Sequence, residues 1–150
     1  MRERLEAHDI SVVVPRGWDA KIFRHPDGEA TLHVANFVLP PRDGDFGTGA
    51  THGMRRGSIF STLTEYRADR HLQPGAGLFA HMRPGSISAH DFRANAVLQS
   101  RPGHRGAQWF FSEAERAFCL YVVVNAGPGA SRLIEDVSHC IQSLRFGRLQ

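Results

Sequence analysis

AFCLYVVVNAGPGASRLIEDVSHCIQSL, residues 117–144, holds the logic of the fold in one stretch. Its first eight residues are almost all apolar and rich in β-branched and aromatic side chains, which predicts a strand over 117–124 buried on both faces. Asn125-Ala126-Gly127-Pro128-Gly129 then breaks the run with the residues that turns select. From about Ala130 to Ser143 the period changes. Leu133, Ile134, Val137, Cys140, Ile141 and Leu144 fall on one stripe of a helix, with Pro128 just ahead of it and Glu135 and Asp136 toward solvent. An isolated helix of this length is marginal in water, so it is expected to lie across a sheet and close the interior.

Upstream segments supply that sheet. Ile10 to Val14 is β-branched and stops at Pro15-Arg16-Gly17, and Trp18, Ala20 and Ile22 then alternate with polar residues, as in a half-buried strand. After a turn at His25-Pro26-Asp27-Gly28, Ala30 to Leu39 is apolar on both faces and reads as a central strand. Pro40-Pro41 ends it. A glycine-rich stretch follows to Gly57, with a short helix expected around Met54, and Ser58 to Arg67 reads as the next strand. Ala68 to Arg93 is long, rich in Gly and Pro and weakly patterned, the mark of a functional or mobile loop. Ala94 to Arg101 and Gly106 to Ser112 read as further strands around Pro102-Gly103-His104-Arg105, with a charged turn at Glu113 to Arg116. The expected class is α+β: residues 1–150 as one domain, a mainly antiparallel sheet of six to seven strands with the C-terminal helix packed on it.

Composition narrows the function classes. A chain of 150 residues with 41% apolar content can remove roughly 70% of its unfolded surface from water, so its core needs no staples. The 18 basic residues include a single lysine, Lys21; the other 17 are arginine, spread with no run longer than Arg55-Arg56. Nucleic-acid binding asks for a concentrated basic stripe, and a net charge of +3 dispersed in this way argues against it. Cys119 and Cys140 both sit in apolar patterns and read as buried small hydrophobes. A bond between them is open if the helix lies on that strand. The opening MRERLEAHD has no apolar core of a signal peptide, and the longest apolar run, Phe118 to Val124, is too short to span a bilayer; a cytoplasmic protein is expected.

Val14-Pro15-Arg16-Gly17-Trp18, a strand followed by Pro, x, Gly, Trp, resembles the opening of the PsbP-like superfamily. That group includes the photosystem II extrinsic subunit, a Ran-binding nuclear-transport protein and many bacterial lipoproteins. The close is similar too: a long last strand, a helix, and a short ending at Ser143-Leu144-Arg145-Phe146. The LPPRDGDFG segment is similar to that of uncharacterised actinobacterial proteins. The resemblance implies an antiparallel sheet between helices and a binding role rather than catalysis, and it carries no functional residue across.

Candidate chemistry is sparse. Gly47-Thr48-Gly49-Ala50-Thr51-His52-Gly53 departs from the dinucleotide spacing and lacks the preceding buried strand, so it reads as a tight loop and no cofactor is expected. Nine histidines stand far apart with no zinc-type spacing, so no metal is expected. Glu65, Tyr66, Asp69 and His71 form the densest titratable group, but strand alternation turns Glu65 and Tyr66 opposite ways, and a strand end running into solvent is expected. Trp109-Phe110-Phe111 cannot share one face; either both faces are covered or one is an interface. The sharpest expectation concerns anions. If the strands run up and down in sequence, Arg55, Arg56, Arg101, His104 and Arg105 gather at one end of the sheet, beside the N-terminus of the last helix. The expected ligand is a small anion or an acidic partner protein. The alternative is a small enzyme with its site in the 40–57 and 68–93 loops and Glu65 or His52 as base.

Overall fold

The computed structural model describes residues 3–147. Eight strands form two antiparallel sheets: β1 (Glu3–Ala7), β2 (Ile10–Val14), β3 (Asp19–Arg24), β4 (Ala30–Ala35), β5 (Ile59–Tyr66), β6 (His104–Glu113), β7 (Arg116–Asn125) and β8 (Arg145–Phe146). The larger sheet has the order β3-β4-β5-β7-β6, and the smaller one β1-β2-β8. Two helices complete the fold, the short α1 (Thr48–His52) and the longer α2 (Ala130–Gln142). The chain is thus α+β, with the C-terminal helix packed against antiparallel sheets. Among the described residues no helix is long and apolar enough to cross a membrane.

β7 is the spine. Nine of its ten residues are buried, and it pairs with β5 on one side and β6 on the other. Alternation splits its side chains between two cores. Phe118, Leu120, Val122 and Val124 meet Ile134, Val137 and Ile141 of α2 together with Ile10 and Val12 of the small sheet. Tyr121 and Val123 face the other way, where Phe60, Ala50, Met54 and Leu39 cover them. Glycine-rich residues 40–57 therefore roof the face opposite α2. Cys119 and Cys140 are free. Cys119 takes a hydrogen bond from Gln108 on the far side of the sheet from α2, while Cys140 packs in the α2-side core, so a bond between them is out of reach.

One strand was not anticipated, and three expectations need correction. The polar opening forms β1, paired with β2 through His8 and Asp9, both left-handed, as a two-residue hairpin loop requires. β1 is largely exposed, so its sequence carries no apolar alternation. The strand expected over Ala30 to Leu39 stops at Ala35, because the Asn36 side chain accepts from Ile59 N and donates to Gly57 O, standing in for the next ladder rung. Ala94 to Arg101 is not a strand. Beyond an isolated bridge between Arg93 and Gly106, its chain crosses the edge of β6, and Leu98 N donates to the Tyr121 hydroxyl rather than to a neighbouring strand. Strand and hairpin also divide into two sheets, where one was expected.

The aromatic triplet is shared between faces. Phe111 is fully buried on the α2 side with Trp109 packed at its margin, and Phe110 meets the Phe79 ring edge-on at 5.7 Å. The long segment of residues 68–103 is anchored too. Arg83 pairs with Glu113 and donates to the carbonyls of Ile141 and Gln142, which ties the segment to the C-terminal end of α2.

Candidate site: a basic end of the main sheet

Antiparallel pairing brings three loops together at one end of the sheet. Ile59 of β5 lies opposite Val124 of β7, and His104 of β6 lies opposite Asn125. Backbone bonds lock the loops to one another: Gly57 N to Asn125 O at 2.9 Å and Ala126 N to Gly103 O at 2.9 Å. The Asn125 amide adds a bond to Met54 O at 3.2 Å. Arg55, Arg56, Arg101, His104 and Arg105 all belong to this end, and α2 begins just beyond it.

Alternation then separates their side chains. Arg105 takes the α2 side with its register partner Val124, whereas His104 takes the opposite side with Asn125. Arg56 crosses the 125–129 loop so closely that a Cβ on Gly127 would stand 2.8 Å from Arg56 Cγ, which is why a glycine is needed there. Arg101 reaches the far side, and its Nη2 meets His52 Nδ1 of α1 at 2.5 Å. Arg55, Arg56 and Arg105 are exposed, and Arg101 is half-buried. Among the described residues none of the four arginines makes an ion pair with a carboxylate, whereas Arg67, Arg83 and Arg116 each do. The charge at this end is therefore uncompensated from within, the condition for attracting an anion.

The supposed enzyme residues are placed differently. Glu65 does not run into solvent. It is buried on the α2 side, and Arg116 grips both its oxygens, through Nε at 2.9 Å and Nη2 at 2.6 Å. Both carboxylate oxygens are thus occupied by one guanidinium. His52 is exposed and is engaged by Arg101. A concavity of about 620 Å³ lies at the end of the sheet opposite His52, between Ala68, Pro74, Ser112 and Glu115, and Glu65 is not among its lining residues. The glycine-rich loop is pinned as well: the Asp43 carboxylate takes Gly49 N at 2.9 Å and Ala50 N at 2.8 Å, so the chain's own acid fills the start of α1.

Sequence reasoning missed His33, although its place between Leu32 and Val34 in an apolar run was a signal. The residue is fully buried in β4, flanked edge-on by Phe23 and Phe60 at 4.9 and 5.0 Å. Its Nε2 donates to Asp45 O at 2.9 Å, an oxygen that also accepts from Thr62 at 2.6 Å. Nδ1 is buried without a partner. Burial pushes the His33 pKa below its ordinary 6.5, against the pull of the Asp45 carbonyl and the Asp43 charge. The folded protein thus holds the ring neutral, while the unfolded chain protonates it near 6.5. Acid favours the unfolded state, so stability is expected to fall as the pH drops below 6.5 toward the lowered folded value, with no His33 contribution above it. Melting temperatures across that window test this. His33→Gln should flatten the decline, and identical profiles for both proteins would refute it.

No family model, curated protein or solved structure matches the chain.

Proposed function

We propose that this chain is a non-catalytic binding domain, acting in the cytoplasm, that takes an anionic group at the basic end of its main sheet. The group is a small anion or belongs to an acidic partner protein. One observation carries the reading: Arg55, Arg56, Arg101 and Arg105, gathered at one end of the sheet by interlocked loops, have no carboxylate partner among the described residues. The loops are held by backbone bonds, so binding need not order the backbone that carries the charges. The PsbP-like resemblance, with its shared sheet and lack of a common catalytic motif, points the same way.

The test is thermal stabilisation by polyglutamate. The wild-type protein is expected to melt higher with the polyanion present, an effect that salt should erode. The triple variant Arg55→Ala, Arg56→Ala, Arg105→Ala should lose most of the gain while its own melting temperature changes little, since these side chains are exposed. An undiminished response in the variant would dismiss the reading.

A further inference from the structure

Strand register carries one face across the large sheet: Lys21 lies opposite His33, His33 opposite Thr62, and Thr62 opposite Tyr121. Tyr121 belongs to the core away from α2, so Lys21 and Phe23 point to the side that residues 40–57 roof. Between this face and the start of the roof lies a cleft of about 290 Å³, lined by Lys21, Phe23, His25, Pro41, Arg42 and Asp43. Phe23 is its aromatic wall, a ring held edge-on by His25 at 5.1 Å and by His33 at 4.9 Å. The polar groups around that ring are unequally engaged. The Asp43 carboxylate takes the amides of Gly44, Gly49 and Ala50, and His25 is paired with Asp45 at 3.2 Å. Lys21, the only lysine of the chain, donates from Nζ to Pro40 O at 2.6 Å, which leaves two of its three hydrogens for a ligand. Arg42 is exposed, and neither cation has a carboxylate partner among the described residues.

We propose that this cleft binds a small aromatic monocarboxylate, with its ring against Phe23 and Pro41 and its acid group between Lys21 and Arg42. Size limits the ligand first. Ligand pockets start at about 300 Å³, so a cleft of about 290 Å³ suits a single ring with its acid group and is small for a nucleotide. Charge limits it next. Lys21 and Arg42 set against Asp43 leave one positive charge in excess, which a carboxylate balances. A phosphate monoester brings about −1.5 to −2 and would leave negative charge facing Asp43. The wall then selects a ring, because the fixed face and edge of Phe23 offer contact that a bare anion cannot use. Both cations stand on ordered supports. The Pro40 carbonyl holds Lys21 Nζ, 5.6 Å from the Phe23 ring centre, and Pro40-Pro41 restricts the backbone that leads into Arg42. The site shares no residue with the basic end, so each stands or falls alone.

Benzoate is the probe, titrated into the protein while its backbone amide resonances are followed by NMR. Acetate supplies the charge without the ring, and benzyl alcohol supplies the ring without the charge. Benzoate is expected to shift residues 21–25 and 42–45 saturably, and neither control should do so at the same concentration. Lys21→Met and Arg42→Ala should each weaken benzoate about three- to tenfold. Arg42 is exposed, so its variant tests the site without endangering the fold. Equal shifts with acetate would show that the ring is not recognised, and equal shifts with benzyl alcohol that the cations are not; either overturns the proposal. If benzoate moves residues 54–57 and 101–105 instead, the basic end takes the anion and the cleft is refuted while the reading of that end survives. Benzoate that shifts no residue saturably also overturns the cleft, and polyglutamate still decides the basic end.

Discussion

Arg116→Met is expected to destabilise the protein by about 3–5 kcal/mol, the usual cost of leaving one member of a buried ion pair alone. The side chain is 2% exposed, and its partner Glu65 is 7% exposed. All five of its N–H groups are in use. Nε and one hydrogen of Nη2 grip Glu65; the rest reach Asp9 O at 2.9 Å, Gly147 O at 3.2 Å and His8 O at 3.3 Å. The guanidinium also lies 5.4 Å from the Phe118 ring centre and 5.9 Å from that of Phe146. One side chain therefore joins the end of β5, the β1–β2 hairpin turn and the chain after β8. Methionine fills a similar volume but supplies no donor, leaving a carboxylate and three carbonyls short of partners in a buried place. Urea unfolding measures the loss. Pairing Arg116→Met with Glu65→Leu should recover a large part of it, because the stranded charge is then gone. A loss below about 1 kcal/mol in the single variant would show that water reaches the pair and that Arg116 does not join the two sheets.

Glu65 also marks the boundary of what the sequence could say. Alternation correctly turns it away from Tyr66. Which side of a strand is roofed depends on elements distant in sequence, here a hairpin turn at residues 8–9 and the chain at 147. The strands β5 and β7, the β6–β7 hairpin and the stripe of α2 were legible because each depends on neighbours within one period of the pattern. β1 was hidden because an exposed hairpin strand buries too little to leave an apolar trace. Residues 94–101 misled in the opposite sense. Ala96 and Val97 lie against the edge of β6 at Gly106, while Ala94 and Leu98 are exposed, and covering and pairing demand similar side chains. For the basic end, up-and-down strand order was enough to gather the loops. Separating His104 from Arg105, and finding the contact between Arg101 and His52, required the register and the placement of α1.

Gly47→Ala is expected to cost about 2–5 kcal/mol, from two causes that add at one atom. The residue has φ 68°, where a side chain costs about 1–2 kcal/mol. Its new Cβ would also be driven into the ring of Phe60, which is fully buried and fixed by strand pairing to Ala35 and Val123. Overpacking of that kind adds about 1–3 kcal/mol. The ring has little room to yield, since His33 packs against it at 5.0 Å. The loop is expected to lift instead. Its first casualties would be the bonds from Gly49 N and Ala50 N to Asp43, so hydrogen exchange at those two amides should quicken far more than in β7. Gly53→Ala is the control: it has φ −96° and nothing within 4 Å of its Cβ, so it should cost less than about 1 kcal/mol. In a Phe60→Leu background the Gly47→Ala penalty should shrink by about 1 kcal/mol or more, because the two substitutions share one volume. Equal costs at Gly47 and Gly53 would mean that the ring does not set the loop's path. The glycine at the head of Gly47-Thr48-Gly49 is thus required by an aromatic ring beneath it, and the loop it holds down leads directly into Arg55 and Arg56.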